Sequence, residues 1–477
     1  MLYALYYVPQ HSFLQINYSM ALTRQTVLKF IGLGIGCLAK FVTGSLFTFN
    51  VYQDAIKETF NYTQKEVEVM SSMLNIGLGV GFLPGMLYDR FGPQWTSGTG
   101  LLVSVSAYIL LWSTTQNKSF YSSNSWLMAI YFFFCGLGSV FTYMVALNTN
   151  VINFHDRHTG KVVGLLNAFF AGSPSIFATI FYAFFGSATN VKNQNLAGFM
   201  LLFAICFGVA DILCVLFLRV YNETKTQTSP ENCGDLHSIE KESSTKEVIP
   251  FDRDKFEHLP LRKLLQNVDY HLLAWTFALA SSIGLVFGNN LTVVSKSLYL
   301  DQYNDRLVLI IPITNAIISL SIGILSDYFK EKVPRIAILI VGCCGFLACL
   351  VICFLLADKL AALYIATTIA AIGIGITWSI SPTVMKEMFY IGNLGRNWGI
   401  ALLGAAVLGM VSQLIFGALY DANITVVSDN YCYGMSCIRG GFSVFLGFAC
   451  MSIICGLVMK FKKHLIRKCR SNKGTYL

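Results

Sequence analysis

Long apolar runs separated by short polar turns make up most of this 477-residue chain. A helix crosses the roughly 30 Å hydrocarbon core of a bilayer with about 20 residues, and twelve runs are long enough to do so. They are too continuous for the alternating strands of a membrane barrel, so their backbone polar groups must be satisfied inside helices. The pattern predicts an all-α membrane protein. The twelve predicted spans are residues 27–51, 67–88, 97–115, 125–150, 162–187, 197–220, 268–292, 304–326, 335–357, 359–384, 397–420 and 440–461.

A polar segment interrupts the apolar pattern after the sixth predicted span. It mixes acidic and basic residues with serine and threonine, a composition typical of a flexible linker. The linker divides the chain into two bundles of six helices. We expect an N-terminal tail at residues 1–26, a first bundle at 27–220, the linker at 221–267, a second bundle at 268–461 and a basic tail at 462–477.

Composition agrees with this architecture and adds an orientation. Hydrophobic residues make up 55% of the chain and charged residues 12%, too few charges to cover a soluble protein. With both termini in the cytoplasm, 25 of the 34 lysines and arginines fall in cytoplasmic segments, 8 fall in the opposite loops, and Lys40 remains within a helix. Most of the net charge of +9 lies in the basic tail, where we expect attraction to lipid head groups rather than nucleic-acid binding.

A polar turn occurs once in each half of the chain. The first copy, "GMLYDRFGPQ", lies at the end of the second predicted span and contains Gly85 and Asp89. The second copy, "GILSDYFKEK", lies at the end of the eighth span and contains Gly323 and Asp327. An aspartate at a helix end accepts hydrogen bonds from the free amides at the start of a neighbouring helix, and glycine permits close helix approach. We interpret each turn as a cytoplasmic contact that forms and breaks as a carrier alternates between inward-open and outward-open states.

A second pattern repeats at nearly the same offset along the chain, in the loops before the fifth and eleventh predicted helices. Both copies have phenylalanine, then glycine six residues later, then glycine after four more. Two independent repeats indicate parallel halves related by an axis along the membrane normal. The residues are Phe154, Gly160 and Gly164 in the first copy and Phe389, Gly395 and Gly399 in the second.

These motifs resemble those of the major facilitator superfamily. Its polar turn is matched at Gly85, Leu87, Asp89, Arg90 and Gly92, although Gln94 stands where the family usually has a basic residue. The resemblance implies that each aspartate binds the start of the fifth or eleventh helix when the outside is open, near Lys161 and Asn397. It implies gating roles for Gly85, Asp89, Arg90, Gly92, Gly323 and Asp327.

Further stretches look like the nodulin-like branch of that superfamily, which is related to monocarboxylate-transporter-like proteins. They are "NVINFHDRHTGKVVGLLNAFFAGSPSIF", "IGLVFGNNL", "GIGITWSISPTVMKEMFYIGNLG" and "CYGMSC". The resemblance covers nearly the whole chain. It implies the major facilitator fold and membership of the nodulin-like branch, and it does not identify the substrate.

Lys40 is the most informative single residue. It lies near the middle of the first predicted span, and a charge at mid-bilayer costs about 3 kcal/mol or more. We expect it to face the central cavity, as the counter-charge of an anionic substrate or as a proton-coupling group. A first-helix lysine with a related role in monocarboxylate transporters favours the anion by resemblance. The alternative is a structural ion pair with Asp211 of the sixth helix.

Uncharged polar residues within the spans are further candidates for the site, because they must find partners inside the bundle. Each taken alone is equally explained by hydrogen bonding between helices. Taken as a set they are able to line a site near the membrane midplane. The candidates carried forward for substrate binding or proton coupling are Tyr143, Asn167, Asn289, Asn290 and Trp378.

Two pairs of neighbouring residues have other predicted roles. Lys386 and Glu387 end the tenth span beside the repeated loop motif, which favours a gate ion pair over ligand contact. Cys432 and Cys437 fall in the last noncytoplasmic loop, an oxidising side in most eukaryotic compartments. Their spacing allows a small disulfide loop, with two free thiols as the alternative.

Enzyme chemistry finds no support in the sequence. The histidines form no acyltransfer or metal-binding pattern, no cysteine group has zinc spacing, and no nucleotide-binding loop occurs. We therefore expect no cofactor, no metal and no catalytic residue. The prediction is a secondary active transporter in a plasma or organelle membrane, most consistent with a small organic anion such as a monocarboxylate, with or without a proton. The alternatives are a neutral or zwitterionic metabolite such as an amino acid, or a non-transporting sensor.

Overall fold

The computed structural model describes residues 10–186, 194–221, 260–423 and 432–473 of the chain. This part of the chain is helical apart from its turns and has no β-strand, so the predicted all-α class is confirmed. The α-helices are α1 (Gln10–Gly44), α2 (Phe49–Phe60), α3 (Gln64–Gly79), α4 (Phe82–Thr114), α5 (Lys118–Ser122), α6 (Ser125–Asn153), α7 (Thr159–Ile180), α8 (Leu196–Phe217), α9 (Leu261–Leu265), α10 (Val268–Ser297), α11 (Asn304–Tyr328), α12 (Arg335–Leu356), α13 (Leu360–Met388), α14 (Leu394–Asp421) and α15 (Ser436–Lys473).

Eleven helical stretches of the described chain are long and apolar enough to cross a membrane. One of them, Lys65–Thr114, has 50 residues and would be about 75 Å long as one straight helix. The backbone of α4 leaves the helical region at Gly92, with φ 80° and ψ −174°, a conformation that suits glycine. We infer that the chain turns back at Gly92 and that this stretch crosses twice. Counted this way, the crossings number twelve, as the sequence predicts.

Two predicted helix ends lie too early in the sequence. The first crossing continues through a 3₁₀ turn at Ser45–Thr48 into α2 and ends where Asn61 adopts a left-handed φ of 56°. Hydropathy places this end at residue 51 because α2 buries one apolar stripe and carries polar residues elsewhere. The last helix likewise runs past residue 461 to Lys473, since basic residues are compatible with a helix. Most of the predicted linker, residues 222–259, lies outside the described residues.

The apolar core shows how the two halves meet. We call α1–α8 the first half and α9–α15 the second half. One buried cluster combines residues of both, including Leu147 and Leu166 with Phe277 and Trp398. A second cluster draws only on the first half and a third only on the second. The halves therefore share a core in one region and keep separate cores in others.

Gly323 is one of the positions where the halves come closest. A Cβ atom there would overlap the carbonyl of Gly160 and lie 2.9 Å from the Cα of Gly164. We predict that Gly323→Ala lowers the thermal unfolding midpoint of the purified protein, because such overpacking costs about 1–3 kcal/mol. Gly404→Ala is the matched control, since a methyl there meets no described atom within 4 Å. Equal midpoints for both variants would contradict the prediction.

Candidate functional site

A carboxylate of the first half binds the start of a helix of the second half. Asp89, in α4, accepts hydrogen bonds from the backbone amides of Gly395 (3.0 Å) and Arg396 (2.7 Å) in the first turn of α14. First-turn amides have no partner inside their own helix and form the positive end of its dipole, so a carboxylate is stabilised there. We call this contact the first clasp.

The second clasp is the same contact with the halves exchanged. Asp327, at the end of α11, accepts hydrogen bonds from the amides of Gly160 (2.9 Å) and Lys161 (2.8 Å) in the first turn of α7. Asp327 is the repeat equivalent of Asp89, and Gly395 is the repeat equivalent of Gly160. The two motifs that repeat along the sequence are therefore the two sides of one contact, made twice. We call the end of the molecule that carries both the clasp side.

The glycines of these motifs let the helix backbones touch. A Cβ on Gly85 would overlap the carbonyl of Gly395, and one on Gly399 would overlap the carbonyl of Gly81. Such close backbone approach is the use that small residues have at helix interfaces in membranes. The spacing of four residues between Gly395 and Gly399 matches one helix turn, so both lie on the face of α14 that meets α4.

A buried arginine reinforces the second clasp. Arg335, the first residue of α12, forms ion pairs with Asp327 and with Glu387, the latter at 2.5 Å. Its side chain is almost fully buried. Lys330 lies 3.4 Å from the same carboxylate of Glu387. Arg335 has no distinctive sequence signal, because a basic residue at the first position of a predicted span, here 335–357, is common at a membrane interface.

Lys386 reaches across to the first half. Its ammonium donates to the carbonyl of Val151 (2.8 Å) and the hydroxyl of Thr159 (2.9 Å), and lies 3.1 Å from a carboxylate oxygen of Asp156. Val151 and Lys386 are repeat equivalents, with the same separation along the chain as Gly160 and Gly395. A contact between equivalent positions lies close to the axis that relates the halves. Lys386 and Glu387 thus each have ion-pair partners on other segments, and their gating role stays a prediction.

Two residues of the first polar turn lie apart from the clasp contacts described above. Arg90 is exposed, and its guanidinium lies 5.2 Å from the ring centroid of Phe91. Gly92 provides the left-handed backbone that ends the second crossing. The backbone conformation at this position therefore explains why the residue is glycine. Among the contacts described, none joins Arg90 to the second half, so its gating role stays a prediction.

Lys40 lies at the centre of a buried group that joins both halves. Its ammonium lies 3.1 Å from the ring centroid of Tyr143 and 3.4 Å from Oδ1 of Asn167. The side-chain amide of Asn167 donates to the backbone carbonyl of Trp378 at 2.6 Å. Phe170 completes the group, with its ring centroid 5.5 Å from the ammonium. We call these five residues the Lys40 cluster.

The ammonium of Lys40 is fully buried and has neutral partners. Within the described residues, no carboxylate lies at ion-pair distance from it. Asp211, the expected alternative partner, instead accepts a hydrogen bond from Thr142 at 2.8 Å. A cation over an aromatic face gains about 2 kcal/mol or more when desolvated, which offsets only part of the cost of burying the charge. The geometry thus leaves the amine of Lys40, when it is protonated, open to an anionic partner.

Of the other predicted site residues, Tyr143, Asn167 and Trp378 belong to the cluster, whereas Asn289 and Asn290 do not. Asn289 is exposed, and the amide of Asn290 donates to the carbonyl of Val286 in its own helix at 2.8 Å. Both lie towards the end of α10, roughly 10 Å from its last residue. The structure therefore does not bring them to Lys40.

Aromatic residues that the sequence analysis did not single out surround the cluster. Phe170 packs on Tyr143 and Trp378, with ring centroids 5.6 and 6.3 Å apart, and Phe277 contacts both Trp378 and Trp398. The Tyr143 hydroxyl faces Trp398, yet neither polar atom completes a well-formed hydrogen bond within the described chain. Tyr143 and Trp378 are repeat equivalents, because their separation along the chain is that of Val151 and Lys386. Each half therefore contributes one aromatic residue from the same repeat position to the Lys40 cluster.

The two loop cysteines are joined in the structure. Cys432 and Cys437 form a disulfide with Cα atoms 5.7 Å apart. The amide of Cys432 donates to the hydroxyl of Tyr420, at the end of α14, at 3.1 Å. The same hydroxyl lies 3.1 Å from that of Ser297, the last residue of α10. The disulfide loop thus ties the ends of two helices of the second half together.

Comparison with known proteins identifies the fold and the general class. Residues 33–412 match the family described as the Major Facilitator Superfamily. An uncharacterized MFS-type transporter of Escherichia coli (strain K12), YhjX, is 22% identical over 374 residues, covering 78% of this chain and 83% of YhjX. A probable transporter of Candida albicans, MCH1, is 23% identical over 415 residues, covering 84% of this chain and 86% of that protein.

Solved structures share the fold at lower identity. The crystal structure of FucP, a Major Facilitator Superfamily transporter in the outward conformation, superposes with a TM-score of 0.59 at 13% identity. The alignment covers 89% of this chain and 99% of FucP. This similarity concerns the arrangement of helices, and it agrees with an integral, multi-pass membrane protein.

The Arg335 network yields a stability prediction. Arg335→Met removes the partner of two carboxylates, one of them buried, and leaving a buried charge unpaired costs about 3–5 kcal/mol. We expect a clearly lower thermal unfolding midpoint at neutral pH. Arg90→Met is the control, since that side chain is exposed and its loss is expected to change stability by less than about 0.5 kcal/mol. A midpoint for Arg335→Met equal to that of Arg90→Met would rule out a stabilising network.

Proposed function

The chain belongs to the Major Facilitator Superfamily, a family of transporters rather than enzymes, and on this premise we propose that it carries a small organic anion, such as a monocarboxylate, by alternating access. The proposal rests on one observation, the fully buried ammonium of Lys40 with neutral partners at the contact between the halves. A carboxylate bound there compensates the charge, and charge-assisted hydrogen bonds are about twice as strong as neutral ones.

The surroundings of Lys40 support a small and partly apolar cargo. Tyr143, Phe170 and Trp378 offer aromatic faces, and the amide of Asn167 orients the ammonium. Ligand sites of this kind combine apolar walls with a few placed polar groups. A short carboxylate fits this chemistry, because one end of it is charged and the other is apolar. Lys40 also supplies a group that can release a proton, so a proton is the coupling ion we propose for this site.

The position of the cluster supports coupling between binding and gating. Asn167 belongs to α7 and bonds to Trp378 of α13, so a ligand on Lys40 contacts a unit that spans both halves. The first turn of α7 also provides the amides of the second clasp. Asn167 lies seven residues after Gly160, about 10 Å along the helix. One helix therefore contacts both the proposed site and a proposed gate.

The finer placement of the protein is also a proposal. The loop motif around Phe154 and Gly160, the "IGLVFGNNL" stretch and the loop cysteines support the nodulin-like branch. The excess of basic residues in the tails and even-numbered loops supports cytoplasmic termini, and hence a cytoplasmic clasp side. We propose a plasma or organelle membrane as the location.

Substrate class is tested by thermal unfolding of the purified protein against carboxylates, amino acids and neutral sugars, followed by uptake of the best ligand into proteoliposomes. We predict stabilisation by carboxylates and uptake that falls about 100-fold in Lys40→Ala, since truncating one partner of a buried charge pair costs about 2–5 kcal/mol. Lys40→Arg is expected to keep measurable uptake. Lys118→Ala, on an exposed loop helix, is the control and is expected to transport normally.

Other results would point elsewhere. Stabilisation by amino acids or sugars without any effect of carboxylates would favour a neutral or zwitterionic cargo. Undiminished uptake of a carboxylate by Lys40→Ala would remove Lys40 from the site. Stabilisation by a ligand with no flux in proteoliposomes would favour a sensor.

A further inference from the structure

A second buried polar group lies inside the first half, apart from the residues of the Lys40 cluster. It is formed where α4, α6 and α8 pack together. All five of its polar side chains are fully buried. They are Ser97 and Ser104 of α4, Ser139 and Thr142 of α6, and Asp211 of α8, and we call them the Asp211 cluster.

Glycines bring these three helices into contact around the carboxylate. The Oδ1 atom of Asp211 accepts a hydrogen bond from Thr142 at 2.8 Å, and a Cβ on Gly100 would lie 3.7 Å from the same oxygen. A Cβ on Gly138 would overlap the hydroxyl of Ser104. Ser97 and Ser104 flank Gly100 at three and four residues, so they lie on the same face of α4. Ser139 precedes Thr142 by three residues on α6.

Most of the oxygens in the cluster have no hydrogen-bond partner within the described chain. These are Oδ2 of Asp211 and the hydroxyls of Ser97, Ser104 and Ser139. Asp211 also forms no ion pair with any basic side chain of the described residues. A buried polar atom without a partner costs free energy, and a charge in a membrane segment costs more. Hydroxyls without a partner occur in the second half as well, at Thr377 and Ser452, so it is the unpaired carboxylate oxygen of Asp211 that requires a reason other than packing.

The second half repeats the helix contact without the serines, since Leu339, Phe346 and Ile374 stand at the positions equivalent to Ser97, Ser104 and Ser139. Gly342 of α12 packs on Ile376 and Thr377 of α13, and Gly100 of α4 packs in the same way on Phe141 and Thr142 of α6. The two threonines are repeat equivalents, because the separation between them along the chain is that between Tyr143 and Trp378. We take Ser452 of α15, fully buried beside Cys343, the residue after Gly342, as the counterpart of Asp211. Close packing of these helices therefore does not require the polar residues of the first half, and the carboxylate of Asp211 is an addition.

We propose that the Asp211 cluster binds a monovalent cation, Na⁺. The candidate ligands are the carboxylate of Asp211, the hydroxyls of Thr142 and Ser139, and one hydroxyl of α4, since Ser97 and Ser104 lie about 10 Å apart along that helix and cannot both bind one ion. All of these oxygens are hard donors that suit such cations. One negative charge balances one positive charge in a medium that tolerates neither alone. A divalent ion is disfavoured, since such sites commonly use several carboxylates or keep much of their water. The cluster lies six residues from the end of α8 at Phe217, about 9 Å along the helix.

The site is tested without any substrate, so its outcome is independent of the proposed cargo. Thermal unfolding of the purified full-length chain is measured at constant pH and ionic strength while choline chloride is replaced by NaCl, and separately by KCl. We expect a saturable rise of about 3 °C or more with Na⁺ and a smaller rise with K⁺. Direct binding of ²²Na⁺ to the same sample is expected to saturate.

The variants follow from the internal comparison. Asp211→Ser copies the residue of the second half, so it is expected to fold and to lose the Na⁺ response. Thr142→Val is expected to weaken the apparent Na⁺ affinity at least about tenfold, roughly the loss of one hydrogen bond to a charged group. Ser452→Ala changes the matching position of the second half and is expected to keep the full response.

Three results would overturn the Na⁺ site. The first is an unchanged midpoint when NaCl replaces choline chloride, and the second is an unchanged Na⁺ response in Asp211→Ser. The third is a wild-type midpoint that responds to pH at fixed salt and not to Na⁺, which would assign the carboxyl group to a proton instead. If Asp211→Ser does not fold, saturable ²²Na⁺ binding by Ser452→Ala and its weakening in Thr142→Val decide the question.

Discussion

The structure depends on a simple electrostatic contact, a carboxylate placed on the unpaired amides at the start of a helix. Asp89 and Asp327 each make this contact across the halves, where water is the competing partner for both groups. Because the partners are polar, the contact is held by direction and distance rather than by buried apolar area. Such a contact can be exchanged for hydration at modest net cost, about 1–3 kcal/mol per charged hydrogen bond. It therefore suits an interface that must open.

The rest of the interface is arranged around this constraint. The glycines bring the helix backbones together so that the carboxylates reach the amides, and the shared apolar core lies between the halves while each half keeps a core of its own. A half that retains its own core can move as a unit when the shared contacts separate. The Lys40 cluster also spans the halves through the bond from Asn167 to Trp378, so the halves cannot separate at this point without breaking that bond.

Sequence patterns predicted the parts of this arrangement that obey general rules. The spans follow from the need to satisfy backbone groups in lipid, the clasp residues from a motif that occurs twice, and Lys40 from the cost of a charge at mid-bilayer. The rest had no such signal. Phe170 and Trp398 are aromatic residues in a chain rich in them, and Arg335 is a basic residue at the start of a span. The positions of Asn289 and Asn290 away from Lys40 depend on how far along α10 the halves meet. Only the distances between side chains in the folded structure show which of these residues belong to the Lys40 cluster or the clasps and which do not.

The repeat offers a way to recognise chemistry within a scaffold. Where both halves keep the same residue type, as with the paired glycines and clasp aspartates, the shared requirement is the geometry of the contact. Where one half departs from the other, packing no longer explains the residue. Asp211 is such a departure, because Gly100 beside it and Gly342 of the second half make the same contact with the neighbouring helix. A buried charge is costly in any membrane helix, so we attribute Asp211 to the proposed cation site and not to the packing that the halves share.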